Sequence, residues 1–272
     1  MLINTVVLFL KDLLPIFILL CLLKSNMANI TIAKVAMLKI FIASAAGVIV
    51  NFKFLPLIGE LWGGAGLEII KTVELLFIYI CFVFSSSYVI ENKPPSHKQL
   101  YVMALALTVF IMLNASTFIV FLDSYIINTE SANIVIAGLV IGLGISLSFS
   151  ALLVFLLLWL QKQEYHSIIY TFWAFFLTGQ LSQIVSLLQQ VDIIQSSEAL
   201  WDSSSIVEDK SEYGHLLNTL FGYEASPSLE FIILYGVSLF TLFIYFYKFS
   251  RSQYSRNKHT FDHSNNTPVG KV

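Results

Sequence analysis

Seven long apolar runs, near residues 2–23, 34–54, 67–90, 100–122, 133–160, 168–190 and 229–249, constrain this chain more than any motif does. Each reaches the roughly 20 residues that carry a helix across a bilayer. In lipid only a helix or a closed barrel satisfies its own backbone, and the alternation of barrel strands is absent. Hydrophobic residues make up 57% of the chain and charged ones 12%. A soluble domain would carry about 25% charge. The expected fold class is all-α: a polytopic membrane domain over 1–249, then a polar tail over 250–272 that reads as disordered.

The first run reads as a retained span. Nothing positive precedes it, and Lys11-Asp12-Leu13-Leu14-Pro15 interrupts its apolar centre. Basic residues set the orientation. Lys24 and Lys34, Lys93 and Lys98, Lys162, and the Lys248–Lys271 group fall on one side, against Lys53 and Lys210 on the other. Seven spans with this bias put the N-terminus outside and the C-terminus in the cytoplasm.

Charges inside the runs are the functional lead, because an ionisable group in hydrocarbon must pair or face a polar cavity. Lys11 and Asp12 sit within the first run. Pro15 lacks an N–H, so it frees the carbonyl of Lys11 and kinks the helix there. Each of the two charges is expected to find a partner on another span. Glu68, Lys71 and Glu74 sit in the third run. Lys71 shares a face with each glutamate, while the glutamates point roughly 120° apart. One lysine then neutralises one carboxylate and leaves the other available.

The remaining polar groups admit two readings each. Asn114, Gln180, Gln183, Gln189 and Gln190 either bond between helices or line a path. Gly138, Gly142 and Ser146–Ser150 either pack span five closely or line a polar route. Cys21 and Cys81 lack metal-site spacing and read as small apolar filler. Pro94-Pro95 stops the helix before span four. Loop 191–228 carries seven acidic residues against Lys210. It is either a cation-concentrating entrance or a solvated loop. Within it, Tyr213–Phe221 has the spacing of a short amphipathic helix that lies on the membrane or packs over the bundle. Gly63-Gly64-Ala65-Gly66 caps or bends the entry to span three. His97, His166 and His215 are isolated, and no nucleophile–base set or phosphate loop appears, so the chain is not expected to be an enzyme. His259 and His263 read as part of the solvated tail. No basic-aromatic stripe suggests nucleic acid.

Three segments of the external loop carry a resemblance: Ala199-Leu200-Trp201-Asp202-Ser203-Ser204, Gly214–Tyr223 and Pro227-Ser228. Together they resemble the last external loop of the oxidase-dependent iron permeases, the fungal high-affinity permeases and their bacterial ferrous-iron relatives. The family has seven spans with the N-terminus outside. It carries an Arg-Glu-Gly-Leu-Glu motif in spans one and four. Here Lys11-Asp12-Leu13-Leu14-Pro15 stands at the first and Asn114-Ala115-Ser116-Thr117-Phe118 at the second. Lys71 replaces an acidic residue of span three, and Gln183 and Ser186 replace histidines of span six. Iron prefers carboxylate and imidazole ligands. The resemblance therefore implies Asp12 and Glu68 as metal-contacting carboxylates, with Lys11 as a charge partner. Glu74 joins them, and Lys71 as its partner, from position inside the apolar run alone.

The implied function is iron transport in a bacterial inner membrane, with iron as substrate rather than bound cofactor, and with an oxidase or periplasmic iron-binding protein as partner. Two other readings stay open. A diverged, non-transporting homologue would stabilise or regulate a membrane complex. A transporter of another cation or polar solute would use Asn114, Thr117 and Gln183.

Overall fold

The computed structural model describes residues 2–26, 34–86, 96–127 and 132–265, and among them every regular element is helical. The helices are α1 (Leu2–Asp12), α2 (Leu14–Asn26), α3 (Lys34–Glu60), α4 (Gly66–Ser85), α5 (His97–Ile127), α6 (Ala132–Lys162), α7 (His166–Gln190), α8 (Glu212–Phe221) and α9 (Leu229–Asn265). The last continues beyond the apolar run, through residues whose composition reads as disordered. Pro94 and Pro95 lie outside the described residues.

Six stretches among the described residues are long and apolar enough to cross a membrane: Ile3–Ser25, Leu38–Gly64, His97–Val120, Asn133–Lys162, His166–Gln190 and Leu229–Lys248. The first comprises α1 and α2 together. Helix α4 spans 20 residues, but its Glu68, Lys71 and Glu74 crowd three charges into about two turns. It packs between α5 and α7, which is where a charged helix finds polar company away from lipid. A 3-10 turn, Leu61–Gly64, with Trp62 and Gly63 at positive φ, bends the chain into α4. Helix α7 is the most buried of the six candidate spans and α3 the least.

Small residues let the helices approach. Gly142 on α6 receives the ring of Phe9 on α1: a Cβ there would come within 2.7 Å of it. Ser150 turns its hydroxyl back to the Ser146 carbonyl at 2.6 Å, and Cys21 donates to the Ser150 carbonyl at 3.5 Å. Both cysteines are free and buried. The serines of α6 thus serve the contact with α1 and α2.

The segment 191–228 is built inward. The first of the three resembling stretches hydrogen-bonds to the other two: Leu200 N–H donates to the Pro227 carbonyl at 3.0 Å, and the Ser203 and Tyr223 hydroxyls meet at 2.9 Å. Ser203 N–H also donates to the Ala225 carbonyl between them at 2.9 Å. Helix α8 starts on a Ser211 cap whose hydroxyl accepts from Gly214 N–H. It stops at Gly222 in the left-handed region. The expected amphipathic helix forms, and of its two expected placements it takes the one against the bundle. It re-enters the bundle, packing on α7, α1 and α2. Phe221 meets Phe172 and Phe175 of α7 at 5.6 and 6.2 Å, and Tyr235 of α9 donates to its carbonyl at 2.6 Å. Gly179 lies roughly 16 Å below the end of α7, and its Cα faces the backbone of Gly222. No side chain fits between them.

Gly179→Ala therefore places a methyl against the Gly222 backbone and should cost roughly 1–3 kcal/mol. Gly144→Ala meets open space and should leave stability unchanged or raised. Thermal unfolding of the two variants in detergent checks the contrast.

Candidate functional site: a polar cavity at the break in the first span

The first span is not one helix. Pro15 offers no N–H to the Lys11 carbonyl. The N–H of Ile16 reaches the Leu13 carbonyl at 3.1 Å, and that of Phe17 reaches the same oxygen at 3.4 Å. Helix α1 ends at Asp12 and α2 begins at Leu14. The N–H of Leu13 still bonds to the Phe9 carbonyl at 2.9 Å, so the predicted kink is a one-residue break, with two carbonyls, Lys11 and Asp12, deprived of their usual helical donors.

At this break lies a cavity of about 310 Å³. Helix α1 contributes Lys11 and Asp12, α4 contributes Lys71, α5 contributes Asn114 and Thr117, α7 contributes Gln183, Ser186 and Gln190, and α8 contributes Asn218 and Thr219. Asp12 is only 5% exposed, and its Oδ2 has no hydrogen-bond partner. Lys11 and Lys71 border the same cavity, and their ammonium groups act on Asp12 electrostatically.

Two further cavities adjoin. Lys11, Gln183, Ser186 and Asn218 are shared with an outer vestibule of about 240 Å³, where Asp209, His215 and Glu224 gather. Lys71, Leu113 and Thr117 are shared with a side pocket of about 130 Å³ that holds Glu74 and Asn51. Each lysine thus borders two carboxylate environments. Lys11 stands between Asp12 and the vestibule acids, and Lys71 between Asp12 and Glu74. Glu68 is half-buried in the first turn of α4, favourable for an acid at a helix N-terminus, and lines none of these three cavities.

Away from the vestibule the bundle is filled with buried side chains. Ile18 and Leu22 of α2, Phe82 of α4, Phe110 of α5, and Trp173 and Phe176 of α7 are all almost fully buried. On each helix they lie toward the end remote from loop 191–228. Phe82 and Trp173 pack edge to face at 5.7 Å, and Phe110 and Phe176 at 6.4 Å. The Trp173 indole donates to the Ser86 hydroxyl at 3.0 Å, which fixes the plug. Polar residues thus line the cavity, and a buried aromatic cluster packs elsewhere among the same helices.

The polar residues divide between the two expected roles. Gln180 donates to the Thr219 carbonyl at 3.3 Å, tying α7 to α8, and Gln189 donates to the Ser228 hydroxyl at 3.3 Å. Gln183, Gln190 and Asn114 line the cavity. His215, read from sequence as isolated, faces the vestibule acids. Asn218 and Thr219 lie in the resembling stretch Gly214–Tyr223 but carry no site expectation from the sequence.

In the vestibule, Asp209 Oδ1 accepts from Ala225 N–H at 2.7 Å. Burial, reinforced by the Asp209 charge, raises the Glu224 carboxyl above its ordinary value. A raised folded-state value means that ionised Glu224 costs stability at neutral pH, and that this cost is absent in acid. Glu224→Gln should therefore raise the melting temperature by roughly 1–3 °C at pH 7. The gain should vanish below about pH 4, where the native carboxyl is protonated in both states. Thermal unfolding at the two pH values reads the sign.

No family model matches this sequence, and neither a curated protein nor a solved structure matches the chain.

Proposed function

We propose that this chain is a seven-span permease that carries iron across a bacterial inner membrane, with α4 as its seventh span, the N-terminus outside and the C-terminus in the cytoplasm. One observation carries the reading. Of the positions that resemble the iron permeases' motif sites in spans one, three, four and six, Lys11, Asp12, Lys71, Asn114, Thr117, Gln183 and Ser186 border one polar cavity, and Glu68 does not. Sites scattered over the sequence have no reason to converge unless the bundle is arranged around them.

The charge pattern supports a cation route. Vestibule acids Asp209 and Glu224 raise the local cation concentration. Asp12 follows at the centre and Glu74 at the side. The lysines act as tethered counter-ions, satisfying each carboxylate until a mobile cation replaces them. With the aromatic cluster packed, the arrangement supports an outward-open state, and transport requires Phe82, Phe110, Trp173 and Phe176 to separate. Glu68 stays a candidate at the outer approach to α4.

A second reading has its own observation. Two ammonium groups and several amides border the cavity beside a single carboxylate. Among the described residues no group of three His, Cys, Asp or Glu is placed to hold a metal. That lining suits a polar solute, or a diverged homologue that no longer transports and instead serves an oxidase or another membrane partner.

Uptake of radiolabelled iron into proteoliposomes separates these readings. The permease account expects saturable uptake that falls at least about tenfold in Asp12→Asn, the effect of roughly 1.4 kcal/mol. Glu74→Gln should show a smaller fall. Uptake that is unaffected by both substitutions contradicts the route. No uptake under conditions where an intact iron permease transports favours the second reading.

A further inference from the structure

We infer that the break in the first span is a binding site for a monovalent alkali cation of the sodium class, which takes Asp12 while no transported ion occupies it. The inference rests on the permease reading for its purpose, the coupling of transport to an ion gradient, but not for its geometry.

Three observations converge on one place. The carbonyls of Lys11 and Asp12 lack their normal helical donors, because Pro15 has no N–H and Ile16 bonds to Leu13 instead. Both belong to the C-terminal end of α1, where carbonyls point along the axis and the helix dipole is negative. Asp12 borders the central cavity, is 5% exposed, and leaves Oδ2 buried without a partner. A buried carboxylate and unpaired carbonyls are costly in hydrocarbon. Interrupted membrane helices satisfy such groups with a small cation.

The donor chemistry selects the ion. The site offers one negative charge, neutral carbonyl oxygens and the nearby Thr117 hydroxyl. Hard divalent cations take six or more oxygens, several of them carboxylates. One carboxylate balances one positive charge. The lysines do not fill the place permanently, since each borders an alternative acid. Lys11 also lines the vestibule with Asp209 and Glu224, and Lys71 also lines the side pocket with Glu74. When the ion enters, Asp12 is neutralised and both ammonium groups retain partners. The ion then bridges α1 and α2 across the break.

The test is equilibrium binding of radioactive sodium to the purified full-length protein in detergent, with iron absent. Saturable binding is expected, with affinity reduced at least about tenfold in Asp12→Asn. Pro15→Ala should weaken it similarly, because Ala restores an N–H to the Lys11 carbonyl while leaving the carboxylate in place. Thr108→Val, remote from the cavity, should bind as the native chain does. Absence of saturable sodium binding to the native protein overturns the inference, whichever variants fold. So does binding that survives both Asp12→Asn and Pro15→Ala. Iron uptake without sodium binding would leave the permease standing and remove this site. Sodium binding without iron uptake would keep the site and remove iron as the substrate.

Discussion

In hydrocarbon a polar group without a partner is expensive, and that cost organises this molecule. Backbone groups meet it by folding into helices. The charged residues meet it by gathering around one cavity where α1, α4, α5, α7 and α8 adjoin. The break at Leu13 concentrates the problem, since it adds unpaired carbonyls to a buried carboxylate at the same level. The surrounding amides, hydroxyls and ammonium groups are there to solvate that point. Helix α4 can keep Glu68, Lys71 and Glu74 because α5 and α7 shield it from lipid.

The re-entrant helix follows from the same constraint. Helix α8 brings Asn218 and Thr219 to the cavity and closes the gap above α7. Its depth is set by Gly179 against Gly222, where only two bare backbones fit. Aromatic contacts from Phe221 hold its tip, and Gln180 links α7 to the Thr219 carbonyl. Elsewhere among the same helices, Phe82, Phe110, Trp173 and Phe176 pack as a buried aromatic cluster. Such an arrangement alone does not name a function.

Much of this was legible in the sequence, for identifiable reasons. Helix length and apolarity are local properties, so five of the seven expected runs match candidate spans within a few residues. The second ends ten residues short of Gly64, and the third is not among the six. Pro15 announced the lesion in the first span, because a missing N–H always frees a carbonyl. Lys71 was assigned a glutamate partner from helix periodicity, and the side pocket holds it near Glu74. The insertion of α8 was not legible. An amphipathic pattern is the same whether its apolar side meets lipid or protein, and the deciding contact joins two glycines far apart in sequence. His215 was missed for a related reason: its acidic neighbours Asp209 and Glu224 meet it only after the segment folds inward.

The account depends most on the central cavity being open toward loop 191–228 and sealed beneath. The direct measurement is labelling of Asn114→Cys, in a Cys21→Ala, Cys81→Ala background, by a membrane-impermeant thiol reagent added to either side of oriented vesicles. Labelling from the loop side alone is the result this account requires. Labelling from the opposite side, or protection from both, would contradict it.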